Sequence, residues 1–190
     1  MASVQSKPCF VQVLPRAYVV QSVLNGVWLP SKLPVLVAGN SKLISICDTS
    51  DVETDLPYAA YSGGCWADMP DARDGLLSLG ISSVLSLAFT DSTPEFHDES
   101  SILFTAAQAH SILDFVLADC SDAPVYVHCA AGISRSGAVG LFLCRYFNLD
   151  AVDFDRLNPH IKPNPYVLHI LMQESGLRES YQDDLAQVFS

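Results

Sequence analysis

The stretch PVYVHCAAGISRSGAVGLFLCRYF, residues 124–147, constrains the fold more than any other part of the chain. It opens as an apolar, β-branched run, crosses a loop of small residues carrying one arginine, and resumes as an apolar run of helical length. A strand that turns directly into a largely buried helix is part of a βαβ unit, and neighbouring segments repeat the pattern. KLISIC (42–47) and SVLSLAF (83–89) are short apolar runs bounded by turn residues, and both are expected to be buried strands. Between them, DARDGLLSLG (71–80) has an acidic start, apolar residues at helical spacing and Gly80 where a helix C-cap would fall. FTAAQAHSILDFVLA (104–118) sets Ala106, Ala109, Ile112, Leu113 and Val116 on one stripe of an amphipathic helix. This alternation predicts a single α/β domain over residues 1–190, with a mostly parallel central sheet and helices on both faces. In such sheets ligands bind beyond the C-terminal strand ends, which is where His128 and Cys129 fall.

Charge narrows the class of partner. Ten Lys and Arg against 21 Asp and Glu give a net charge of −11, and no basic cluster exceeds a pair. Neither a nucleic acid nor an anionic membrane is an expected partner of such a surface. The N-terminus lacks a basic start followed by an unbroken apolar run, since Pro8, Gln12, Pro15 and Arg16 interrupt it, and it does not read as a secretory leader. Tyr18 to Leu29 is apolar but too short to span a bilayer. The six cysteines, Cys9, Cys47, Cys65, Cys120, Cys129 and Cys144, form neither a CxxC pair nor a metal-ligand spacing. A reducing, cytoplasmic compartment is the expectation, with no metal and no cofactor.

The loop CAAGISRS can turn successive N–H groups inward and feeds straight into a helix N-terminus, a combination suited to an oxyanion. Arg135, six residues after Cys129, supplies a planar fork for two phosphate oxygens, which lysine could not copy. The same positive surroundings favour thiolate over thiol at Cys129 and make it a candidate nucleophile.

His128 and Cys129, then five residues, then Arg135 and Ser136 resemble the signature of the cysteine-dependent protein tyrosine phosphatases, especially their compact dual-specificity type. LLSLGISSVLSLAF (76–89) is similar to that family's helix-to-strand unit, and IKPNPYVLHIL (161–171) to the segment and helix after the signature helix. The resemblance covers roughly residues 71–175 as a phosphatase-like core and leaves 1–70 unexplained apart from the strand at 42–47.

That resemblance implies hydrolysis of a phosphomonoester through a phosphocysteine. Cys129 would attack phosphorus, while Ala130, Ala131, Gly132, Ile133, Ser134 and Arg135 hold the phosphoryl oxygens. Ser136 would assist release of phosphate, His128 would orient the loop and tune the thiolate, and Asn164 would brace the loop. The family places its general-acid aspartate on a loop about thirty to forty residues before the cysteine, and Asp91 and Asp98 both qualify. Asp91 lies just past the end of a strand, beside the expected site, and is favoured on that ground. Phosphoinositide-directed relatives carry lysines inside the loop, whereas residues 130–134 hold none, so a phosphorylated protein is the expected substrate, at tyrosine with or without serine and threonine. A non-catalytic phospho-binding module and a phosphatase for a non-protein phosphomonoester are the alternatives. Arsenate chemistry would need a resolving cysteine, and neither Cys120 nor Cys144 sits in a recognisable resolving motif.

Overall fold

The computed structural model describes residues 7–29, 39–47, 70–99, 101–118 and 122–177. Cys65 and Cys120 lie outside them. In chain order the elements are β1 (Val11–Pro15), α1 (Arg16–Asn25), β2 (Ser41–Cys47), α2 (Pro70–Ser78), β3 (Ile81–Ala88), α3 (Ala106–Leu117), β4 (Val125–Cys129), α4 (Arg135–Tyr146), α5 (Ala151–Leu157) and α6 (Pro165–Glu174). The four strands pair in the order β1-β4-β2-β3, and every pairing is parallel. The expected α/β architecture is therefore present, with β4 in the interior of the sheet and buried along its length.

Each face of the sheet has its own core. Leu14, Leu43 and Tyr126 pack with Val19, Val20 and Val23 of α1 and Leu76 of α2. On the other face Ile44, Ile46 and Val127 meet α3, α4 and α6 through Ile112, Phe142 and Leu168. Period-2 alternation along the strands produces this division, since successive side chains point to opposite faces. Gly80 follows α2 with φ of +78° and donates its N–H to the Leu77 carbonyl at 3.0 Å, as a C-cap glycine should.

Two polar side chains complete the frame. Asn158 covers the outer edge of β1, where its Oδ1 accepts from the Val13 N–H at 2.6 Å and its Nδ2 donates to the Val11 carbonyl at 3.1 Å. A strand edge that would otherwise present open backbone groups is thereby satisfied. Lys42, buried on β2, donates Nζ to the Phe115 carbonyl at 2.8 Å and also to that of Ala118, so its charge closes the carbonyl end of α3.

Three expectations need correction. Residues 83–88 lie in a strand and Phe89 just beyond it is buried, but Ser83, Val84, Leu85 and Leu87 are only half-buried, while Ser86 and Ala88 are exposed. β3 ends the strand order, so one of its two edges has no neighbouring strand among the described residues. Ala106 is exposed, since it opens α3 beyond the edge of the core, and the buried stripe begins at Ala109. The unexplained N-terminal part contributes β1 and α1 as well as β2, and β1 pairs directly with β4.

Candidate active site

Cys129 ends β4 at the C-terminal edge of the sheet and Arg135 opens α4, so residues 130–134 form the turn between them. The Ser136 hydroxyl donates to the Cys129 sulfur at 3.1 Å. Burial pushes the thiol pKa up, but the Ser136 hydroxyl and the N–H groups of Ser136, Ile133 and Gly132 outweigh it, leaving the thiol below its ordinary value. Several donors thus converge on one sulfur at a helix N-terminus, the arrangement expected to favour thiolate.

The turn is braced from three directions. The Arg16 N–H donates to the Ala130 carbonyl at 3.2 Å, the Lys162 N–H to Ile133 at 3.1 Å and the Asn164 N–H to Ser134 at 3.1 Å. Gly132 sits at φ of +72° against the β1–α1 junction, where an added Cβ would lie 2.5 Å from the Pro15 nitrogen and 2.6 Å from the Leu14 carbonyl carbon. Both the backbone conformation and the available space therefore require glycine there.

Arg135 is buried, and its Nη1 donates to the Phe89 carbonyl at 2.7 Å and the Cys47 carbonyl at 3.2 Å. The ends of β3 and β2 thus fix the plane of the guanidinium. Asp91 lies beyond β3 and is held by its Oδ1, which accepts from the Ser134 hydroxyl at 2.7 Å and from Asn164 Nδ2 at 2.8 Å. Asn164 also caps α6, its Oδ1 accepting from the N–H groups of Tyr166 at 3.0 Å and Val167 at 3.2 Å. One asparagine therefore ties the turn, the aspartate and the following helix together.

Asp98 occupies a different setting. It is exposed, with Oδ1 accepting from the Ser101 hydroxyl at 2.9 Å within its own turn. Of the two aspartates, Asp91 is the one joined to the loop by hydrogen bonds to Ser134 and Asn164. His128 is fully buried, and burial first and the Arg16 charge second hold its pKa down to about 3, so the ring is neutral in ordinary buffers.

Sequence reasoning missed the supports from the N-terminal part and from His160. Leu14, Pro15 and Arg16 belong to the uncovered N-terminal part, and His160 lies close to the Gly132 and Val13 backbones, with burial holding its pKa below the ordinary value. Pro15 immediately before a helical run was the one available signal, because proline favours a helix start.

No family model matches the chain, and no curated protein matches it. Solved structures do. PTPMT1 in complex with PI(5)P is 14% identical, with 94% of this chain and 94% of that chain covered and a TM-score of 0.45. A second PTPMT1 structure is 16% identical, covering 97% and 98% at a TM-score of 0.46. Tk-PTP in the active form is 15% identical, covering 92% and 98% at a TM-score of 0.45. At these identities and TM-scores the likeness assigns this chain no activity. Among the described residues, no helix is long and apolar enough to cross a membrane.

Proposed function

We propose that this chain is a cysteine-dependent phosphatase acting on phosphorylated protein, at phosphotyrosine with or without phosphoserine and phosphothreonine. The observation that carries the reading is the Cys129 sulfur at the end of β4, receiving the Ser136 hydroxyl and facing loop N–H groups at the mouth of α4. The Cys129 thiolate attacks phosphorus, an S–P bond forms and the ester P–O bond breaks. Asp91 gives its proton to the leaving oxygen; with Oδ1 held by Ser134 and Asn164, Oδ2 is the oxygen that delivers it. Arg135 and the loop N–H groups bind the equatorial oxygens. Water then attacks phosphorus, returning a proton to Asp91, while the S–P bond breaks and the Ser136 hydroxyl receives the departing thiolate. His128, neutral and buried, orients the strand end and transfers no proton.

The test is hydrolysis of p-nitrophenyl phosphate and of phosphotyrosyl, phosphoseryl and phosphothreonyl peptides in reducing buffer containing a chelator. Turnover that disappears in Cys129→Ser, while vanadate still binds, is the expected result. Undiminished turnover in that variant refutes the mechanism, and turnover of the aryl ester alone refutes the protein substrate. A phospho-binding module would bind the peptides and release no phosphate.

A further inference from the structure

We infer that His160 is a positioning residue for this site: a ring N–H directed at the Gly132 carbonyl fixes the peptide group whose other end, the Ile133 N–H, faces the Cys129 sulfur. The inference rests on the phosphatase reading above and adds to it a residue that acts through the loop rather than on the substrate. It starts from the backbone of the turn, because a trans peptide sends its carbonyl and its N–H in opposite directions. A turn that points N–H groups inward at an anion must point carbonyls outward, and each outward carbonyl needs a donor behind it.

Three of those donors are backbone groups. The Arg16 N–H meets the Ala130 carbonyl, the Lys162 N–H that of Ile133 and the Asn164 N–H that of Ser134. Among the described residues no backbone N–H meets the Gly132 carbonyl in this way, and the group standing beside it is the His160 imidazole. Anchors on either side put the ring there. Two residues earlier Asn158 is bonded to Val11 and Val13 of β1, and two residues later Lys162 is bonded to the loop, so His160 spans from the β1 edge to the turn. Ile161 seats the same segment on α4, where a Cβ added at Gly137 would lie 3.1 Å from the Ile161 Cβ.

Both ring nitrogens are closed to solvent, and neither makes a fully aligned hydrogen bond in this structure. A buried N–H without a partner is costly, and the acceptors beside this one are the carbonyls of Gly132 and Val13. Burial keeps the ring neutral in neutral buffers, and a neutral ring has one N–H to give. Val13 belongs to a strand already fixed by pairing with β4 and by Asn158, whereas Gly132 sits at φ of +72° with the freedom of glycine. The donor therefore has most effect at Gly132, where the backbone itself constrains the next peptide least. The N–H groups of Ile133 and Gly132 are among those that favour thiolate at Cys129, so orienting this peptide from outside acts on the nucleophile without touching it.

The test compares the full chain with its His160→Phe, His160→Asn and His160→Gln variants. Phenylalanine keeps a flat ring and removes both nitrogens, while the asparagine and glutamine amide nitrogens take the places of Nδ1 and Nε2. The quantities read are the Cys129 thiolate midpoint by ultraviolet absorbance, corrected by the matching variant that also carries Cys129→Ala, the affinity for vanadate, and kcat and KM for p-nitrophenyl phosphate. A neutral hydrogen bond acting through one peptide should move the midpoint up by about half to one pH unit in His160→Phe and lower vanadate affinity and kcat/KM by about three- to tenfold. At least one amide variant should hold the parent's values, and which one does so names the nitrogen that carries the proton. Should His160→Phe fail to fold, ring ¹⁵N spectra of the parent, assigned through the amide variants, decide instead: one His160 ring proton is protected from exchange and shifts when vanadate fills the loop. A midpoint that stays in place while stability falls, two amide variants that both behave like His160→Phe, or a ring proton indifferent to vanadate overturns the inference. Absence of turnover in the parent, with a midpoint that follows the expected pattern, refutes the catalytic reading alone.

Discussion

Replacing Ser136 with alanine deletes the hydroxyl that donates to the Cys129 sulfur at 3.1 Å and leaves the loop backbone in place. Burial is the largest influence on this thiol and acts upward, while the Ser136 hydroxyl is the largest of the influences acting downward. A hydrogen bond to an ionised group is worth about 1.5–3 kcal/mol, and 1.36 kcal/mol corresponds to one pH unit, so the titration midpoint should rise by about one to two units. The backbone donors from Ser136, Ile133 and Gly132 persist and limit the rise. The assay is the ultraviolet absorbance of thiolate against pH in the parent and Ser136→Ala, each corrected by the matching variant that also carries Cys129→Ala. Cys9, Cys47 and Cys144 are free thiols, and the correction removes their signal. A midpoint that stays in place would refute the claim that the hydroxyl stabilises the thiolate, and a fall would refute the balance of burial against donors.

Asp91→Asn should lower kcat for phenyl phosphate by about a hundredfold or more, and far less for an ester with an acidic leaving group, whereas Asp98→Asn should leave that dependence unchanged. The reverse pattern across a leaving-group series would exchange the two residues. Asn164→Ala removes a cap of α6 and a hydrogen bond to Asp91, so it should cost about 1 kcal/mol of stability in denaturant titration and also reduce kcat. Loss of stability with unaltered kcat would show that Asp91 needs no such support. His128 has a native pKa near 3 against an ordinary 6.5, so the unfolded chain takes up this proton first as pH falls. Its contribution is complete above pH 6.5 and is lost toward pH 3, at up to about 1.4 kcal/mol per pH unit. Stability measured between about pH 6.5 and 5 should therefore fall less steeply in His128→Gln than in the parent, and equal slopes would contradict a buried neutral imidazole.

The turn from Cys129 to Arg135 was legible because its geometry is local. Cys129 ends a strand and Arg135 opens a helix only six residues later, so the short turn between them brings the thiol and the backbone donors of Gly132, Ile133 and Ser136 together. The helices at 71–80 and 104–118 were legible for the same reason, being written in the spacing of apolar residues along one segment. β1 was harder to read, because Gln12 and the Pro15–Arg16 pair interrupt its apolar run, although Gln12 is buried.

By itself the sequence determined the alternation of strand and helix, put a thiol, a guanidinium and a hydroxyl at Cys129, Arg135 and Ser136 on one strand-to-helix turn, and placed Asp91 just past a strand end. Only the tertiary structure decided that Asp91 meets Ser134 and Asn164, that carbonyls of Cys47 and Phe89 anchor Arg135, and that β1 and α1 place Arg16 beside Ala130. Periodicity states which side of a segment is apolar, but it carries no information on which strand lies next to which. The order β1-β4-β2-β3 closes loops of tens of residues through packing on both faces of the sheet, and those closures set the distances at the site.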